Sequence, residues 1–380
     1  MGYVLINESI LSSIGNILRS KLDTSSTFTP IEFNSAIMDI DTMWIDVKEH
    51  KSDYIYDPTS SLLSSPIYKY TSCIISIPNC SYIGNDIFNG CINLSSMSIP
   101  NCSYIGNSAF YSCWNLSSIF IPNCSYIGSS AFYYCSNLSS INIPNCSYIG
   151  SSAFYCCSNL SYISPISNCS YIGSNAFQYC SKLTNSNIQE ILDNYKSYST
   201  VINDGVFYSC YGITSLDLTG YTSIGGSAFR ECSNLYSANI PNCSYIGSSA
   251  FYYCSNLSYI SPMPNCSYIG SSAFEYCTNL SYISIPNVEY IGSNAFYRCS
   301  NLSSISIPNV EYIGSSAFYQ CYSLTSIYVL TTSIPNLGTS AFNNITNNWS
   351  IYVLSSLVDS FKTATNWSTY SSRIVAYTGT

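Results

Sequence analysis

Twenty cysteines and one histidine, His50, are the residues of this chain with the reactivity to do chemistry. Thiolates act as nucleophiles, pair as disulfides or hold zinc, and each use demands its own spacing. The spacing here serves none of them. Eleven cysteines stand three residues after a phenylalanine, from Cys91, Cys113 and Cys135 through to Cys299 and Cys321. Seven more follow a Pro-Asn or Ser-Asn step, among them Cys80, Cys102, Cys124 and Cys266. Zinc needs four convergent ligands, usually with a local C-x-x-C, and the neighbours Cys156-Cys157 are not that. In the second series Val288 and Val310 take the cysteine's place without other disturbance. A small apolar role fits that exchange, so the expectation is two core columns of free, reduced thiols. No nucleophile–base pair and no Gly-rich phosphate loop accompanies them, so no metal, cofactor or enzymatic chemistry is expected.

Regular cysteine columns need a regular scaffold. An anchor phenylalanine recurs at 88, 110, 132, 154, 177, 207, 229, 251, 274, 296, 318 and 342, mostly 22 residues apart. Two intervals are 23, one is 30 and the last is 24. Each unit reads roughly I-P-N-C-S-Y-I-G-S-S-A-F-Y-x-C-S-N-L-S-S-I-x. Leu116, Ile119 and Ile121 alternate as in a strand, with Pro122 closing the segment. Ile127-Gly128 reads as the start of a turn, and Ser129-Ser130-Ala131-Phe132 as a short helix opened by a hydroxyl cap. One unit cannot bury Phe132, Leu138, Ile141 and Ile143 alone, whereas stacked units can. The expected fold is a right-handed repeat solenoid with a parallel β-sheet on one face and short helices or turns elsewhere. The Asn-x-Ser sequons at Asn101, Asn115 and Asn137 occupy repeat positions and read as turn asparagines.

Composition supports this and excludes some partners. Charged residues are only 8% of the 380, yet 47% are hydrophobic and 15% aromatic, enough to build a core if placed regularly. The net charge is −8, and nine of the 19 acids lie in residues 1–60. No basic stripe exists to neutralise phosphates, so nucleic acid is not an expected partner. No apolar run approaches the roughly 20 residues of a membrane span. The N-terminus shows no basic region leading into a continuous apolar core, so no secretory signal is expected.

The recurring A-F-x-x-C-x-x-L-x-x-I-x-I-P and Y-I-G patterns resemble the BspA-like class of leucine-rich repeats, found in bacterial surface and adhesion proteins. The resemblance covers about residues 73–345. The tail, with Leu357, Val358, Phe361 and Trp367, resembles the segment that closes such arrays, and its apolar residues suit that task. Residues 1–45 stand apart. Ile10, Leu11, Ile14, Ile17 and Leu18 read as one amphipathic helix, and Thr29-Pro30 opens a second. This stretch is similar to short N-terminal modules of phage tail-fibre-like, virion-associated proteins, which implies attachment to an assembly. The expected organisation is therefore an attachment module at 1–45, a linker at 46–72, twelve repeats at 73–345 and a cap at 346–380. The 30-residue interval marks an irregular coil near 185–206, where Ile188–Tyr195 reads as a helix and Asn203 replaces the usual Gly.

If Leu and both Ile of each strand point inward, the residues between them face solvent. The resulting pairs include Ser118/Phe120, Ser140/Asn142, Tyr162/Ser164, Ser215/Asp217, Tyr259/Ser261, Tyr282/Ser284 and Ser326/Tyr328. This is a serine floor with scattered aromatics, and Ser with Tyr makes adaptable recognition surfaces. The candidate ligand-binding residues are Phe120, Asn142, Tyr162, Asp217, Tyr259, Tyr282 and Tyr328. The expected function is non-enzymatic: a virion-associated receptor-binding solenoid of a phage tail or fibre, contacting a host surface protein or glycan. The alternatives are a bacterial cell-surface adhesin of the BspA-like type and a structural spacer without a ligand, and a homo-oligomer stays open.

Overall fold

The computed structural model describes residues 73–76, 80–346 and 348–379. The expected helical module at 1–45 and linker at 46–72 lie outside them. The chain divides into two compact units, one ending at Asn168 and the other starting at Cys169. Each is a parallel β-solenoid, and the coils number about 13 in all. Among the described residues no helix is long and apolar enough to cross a membrane.

In the first unit every coil contributes two strands. Leu94–Ser98, Ser118–Phe120, Ser140–Asn142 and Tyr162–Ile163 pair in parallel, in the order of the sequence. Met97, Ile119, Ile141 and Ile163 share one register row and are buried, so the two-residue alternation of a strand puts Phe120 and Asn142 outside. A second ladder joins Tyr82–Ile83, Tyr104–Ile105, Tyr126–Ile127 and Tyr148–Ile149. Thus Tyr126-Ile127, expected to lead into a turn, is a strand.

The segment expected to be a short helix is not one. Ser130 and Tyr134 have left-handed φ values of 56° and 59°. Backbone bonding explains why. The N–H groups of Ser130, Phe132 and Tyr134 donate to Ser151, Ala153 and Tyr155 of the next coil at 2.9, 2.8 and 2.8 Å. Ala131, Tyr133 and Cys135 instead close local bonds to Gly128, Ser130 and Phe132. Alternate N–H groups point along the stacking direction, an arrangement an α-helix cannot offer. Inside, Phe88, Phe110, Phe132 and Phe154 form one column, their ring centroids 5.1–5.3 Å apart and their planes within 6°.

The second unit repeats this plan with a seven-stranded ladder from Val201–Ile202 to Asn336–Leu337. Its other ladder is split into Ser215–Asp217, Ser237–Asn239 and Tyr259–Ile260, and then Ser304–Ser306, Ser326–Val329, Ser350–Val353 and Ile374–Ala376. The irregular coil forms the helix Asn185–Tyr195, capped by Thr184 Oγ1, which accepts from Asn187 N–H at 3.3 Å. Ile188, Ile191, Leu192 and Tyr195 are its buried side. Asn203, in the glycine position, donates its Nδ2 to Ile172 O at 2.6 Å. At the far end the helix Val358–Thr363 delivers Phe361, and Trp349, Trp367 and Tyr370 close over Phe342 with centroids 5.5–6.2 Å from it. Leu357 and Val358 are half-buried there.

Candidate binding surface

The thiols are the first candidates to place. Every cysteine with a described side chain is free, and all but the half-buried Cys156 are buried. They are more than apolar filler. In the anchor series the thiols from Cys113 to Cys157 and from Cys210 to Cys321 donate to the carbonyl of the previous coil's phenylalanine, Cys113 to Phe88 at 3.0 Å and Cys135 to Phe110 at 3.2 Å. In the second series it donates two residues ahead, as Cys124 does to Tyr126 O at 3.3 Å. Burial pushes the Cys124 thiol up to about 12 and Cys243 to about 11. Cys80 is the exception, brought down to about 7 chiefly by the neighbouring Cys102 thiol. Among the described residues no three His, Cys, Asp or Glu side chains converge to hold a metal ion.

The sheet faces are the second. In the first unit Phe120 is 50% exposed and Tyr162 45%, while the serines around them are tied to one another. Ser118 donates to Ser96 Oγ at 2.9 Å, and Ser117 to Ser95 O at 2.9 Å. Asparagines run in a similar ladder, Asn159 to Asn137 to Asn115, as their repeat positions implied. A floor whose hydroxyls bond across coils has structural work already, which leaves the aromatics as the unengaged groups. Asn142 is exposed and lies in register beside Phe120.

In the second unit Tyr259 and Tyr282 are 56% and 58% exposed, and Tyr236, not anticipated from sequence, is 54% exposed. Tyr236 directly follows a core Leu, a position filled by Ser in most coils; the expected outward pairs began one residue later. Asp217 is exposed, but its carboxylate caps a local turn. It accepts from Thr219 Oγ1 at 2.7 Å, Thr219 N–H at 3.1 Å and Asn239 Nδ2 at 3.0 Å, and the Thr219 bond holds it below the usual carboxylate range. Tyr328 is half-buried, stacked on Tyr352 at 4.9 Å and edge-on to Tyr377.

Two expected outward residues turn inward. Ser164 and Ser261 are buried, and their hydroxyls accept from Ile143 N–H and Ile240 N–H, each at 2.7 Å. In ordinary coils that N–H goes to a backbone carbonyl, as Ile99 N–H does to Phe120 O. Both serines sit in the coils that are 23 residues long, just before Pro165 and Pro262. The extra residue shifts the chain by one step, which reverses the side a strand residue faces. That interval was the available signal.

Comparison with known proteins agrees with this geometry. The family model described as BspA type leucine rich repeat region matches residues 66–184, 184–299 and 267–372. A leucine-rich repeat protein from Bacteroides ovatus is similar, with 21% identity over 88% of this chain and 98% of that one, at a TM-score of 0.54. A leucine rich cell surface protein from Faecalibacterium prausnitzii shares 24% identity over 74% of this chain and 90% of its own, at 0.39. No curated protein matches the chain.

Proposed function

The chain belongs to the BspA type leucine rich repeat family, and from that premise we propose that it is a non-enzymatic adhesion protein that recognises a surface through its sheet faces. Proteins of this type are typically cell-surface proteins, which favours the bacterial surface as its setting. A virion setting draws no support from the comparisons, and the module it rested on, residues 1–45, lies outside the described residues. We keep for that module the role of attaching the array to whatever carries it.

The observation that carries the reading is the run of Tyr236, Tyr259 and Tyr282, each more than half exposed on consecutive coils of a nearly uncharged serine surface. Exposed tyrosines on a rigid base supply contact area at little entropic cost. The partner expected is a protein or glycan of a host surface. Arrays of host surface proteins and glycans, probed with the full chain and with a Tyr259→Ser/Tyr282→Ser variant, test it. Binding that the variant loses supports adhesion. Silence of the parent on both arrays leaves a spacer role instead.

A further inference from the structure

Each coil has two left-handed backbone positions, and only the second takes bulky side chains. Two residues before the anchor phenylalanine stand Asp86, Ser108, Ser130, Asn175, Ser249 and Asn294, with φ from 52° to 59°. These are small polar residues of the kind that tolerate this conformation. Two residues after the anchor five coils have Gly90, Ser112, Cys156, Ser209 and Asn344, but the other seven place Tyr134, Tyr179, Glu231, Tyr253, Tyr276, Arg298 and Gln320 there, with φ from 59° to 63°. Bulky side chains pay a conformational penalty there that glycine would avoid, so the backbone did not select them. What these side chains do outside the coil is the remaining reason, and it points to the turn edge as a working surface.

In the second unit this edge has a distinct chemistry. The Arg230 guanidinium lies 4.3 Å from the Tyr252 ring centroid, and Arg298 lies 5.3 Å from Tyr276 and 5.8 Å from Tyr297. Arg230 is neutralised at home, 3.4 Å from Glu231. Arg298 is not. Among the described residues the ion pairs are Lys196–Asp193 and Arg230–Glu231, and neither involves it. Its Nε donates to Gln320 Oε1 at 2.5 Å, which fixes the plane of an exposed guanidinium. Of the rings beside it, Tyr297 is stacked on Tyr319, 5.2 Å away and 2° from parallel, whereas Tyr276 is inclined to both its neighbours, to Tyr253 by 41° and to Tyr297 by 56°. The inclination leaves surface of the Tyr276 ring uncovered, unlike the second-ladder stack of Tyr268 on Tyr290, 4.6 Å apart and 3° from parallel.

We propose that Arg298, with Tyr276 and Gln320, forms a subsite for a carboxylate-bearing polysaccharide, a uronic acid polymer being the type. A planar guanidinium with one edge anchored presents its remaining donors to a carboxylate. The inclined Tyr276 ring takes the C–H face of a sugar. An extended peptide fits less well, because the edge has no spare backbone donors for it: Tyr253 N–H goes to Glu275 O, Tyr276 N–H to Tyr297 O and Arg298 N–H to Tyr319 O, at 2.8–2.9 Å. This surface is separate from the sheet faces and does not depend on their role.

The test uses the full chain on immobilised polygalacturonate, dextran and polyglutamate. The chain's net charge of −8 opposes nonspecific retention of polyanions, so binding reports a local site. Retention is expected on polygalacturonate alone. Arg298→Asn should lower the affinity about tenfold or more, with Arg298→Lys in between and Tyr276→Ala reduced as well. Asparagine suits the left-handed backbone better than arginine, so the Arg298→Asn protein should melt no lower than the parent and loss of fold cannot mimic loss of the site. Absent retention, parental binding by Arg298→Asn, or equal binding to polyglutamate would each overturn the assignment.

Discussion

Gln189 grips the backbone of Asp217 from both sides: its Nε2 donates to Asp217 O at 2.8 Å and its Oε1 accepts from Asp217 N–H at 3.0 Å. One helical turn earlier Asn185 Oδ1 accepts from Thr214 N–H and Ser215 N–H, each at 3.0 Å. Two amide side chains four residues apart thus stand in for a neighbouring strand at the edge of the Ser215–Asp217 ladder. Gln189→Ala should lower stability by about 1–2 kcal/mol, the usual effect of freeing backbone hydrogen bonds. Gln189→Glu, which keeps only the acceptor, should fall between. Urea denaturation reads both, and an unmoved midpoint for Gln189→Ala would mean that water covers this edge equally well.

The glycines of the Y-I-G step make a sharper contrast. A Cβ on Gly247 would lie 2.5 Å from Gly226 N and 2.7 Å from Gly225 C, both backbone atoms of the preceding coil. On Gly84 its nearest contact is Ile87 Cγ1 at 3.4 Å. Gly247→Ala should therefore cost about 3 kcal/mol or more, whereas Gly84→Ala should stay within about 1 kcal/mol. Thermal unfolding of the two variants side by side checks the ranking.

The two thiol columns should respond differently to valine. The second series already carries Val288 and Val310, both buried, so Cys124→Val should change stability by less than about 0.5 kcal/mol. In the anchor series the thiol bonds the neighbouring coil, and Cys135→Val both removes that donor and adds a methyl group to a fully buried site. A loss of about 1–3 kcal/mol is expected. Equal midpoints for the two variants would show that the thiol bonds carry nothing.

Thiol reactivity should single out one member. Cys80, with its thiol brought to about 7 by the neighbouring Cys102, holds more thiolate at pH 8 than Cys124, pushed up to about 12. Because the thiolate is the nucleophile, native alkylation should reach Cys80 ahead of the other buried cysteines, faster as pH rises through 7. Cys102→Ala removes that neighbour and should slow it. Peptide mass spectrometry after timed alkylation separates the sites, and uniform labelling would refute the assignment.

For the sheet faces, changing Phe120, Tyr162, Tyr259 and Tyr282 to Ser should weaken surface attachment while leaving the melting temperature nearly unchanged. All four are exposed by 45–58%, so little core packing is lost. Interface aromatics of this kind typically account for about 2 kcal/mol or more each when truncated. Cell-binding and calorimetry on the same preparation decide it; full attachment by the variant would direct attention elsewhere.

The 22-residue recurrence of Phe, Cys, Leu and Ile by itself determined the solenoid, its core columns and the helix in the long interval. Apolar residues at fixed spacing have only one way to be covered, which is by the next copy of themselves. The apolar residues of the tail follow the same logic, since Trp367 lies over Phe342 and Phe361 packs edge-on against Trp367. Tertiary structure decided what depends on bonds between coils. Ser129–Phe132 carries a helix start signal, but cross-coil N–H donors outweigh a single helical turn. Asp217 reads as a free carboxylate, yet Thr219 and Asn239, two and 22 residues away, occupy it. Ser164 and Ser261 fit the outward pattern until one extra residue reverses their side. Arg298 looks like any scattered charge in the sequence. Only the stacking of consecutive coils sets it between two tyrosine rings and leaves it without a carboxylate, because neighbours 22 residues apart in the chain become neighbours in space.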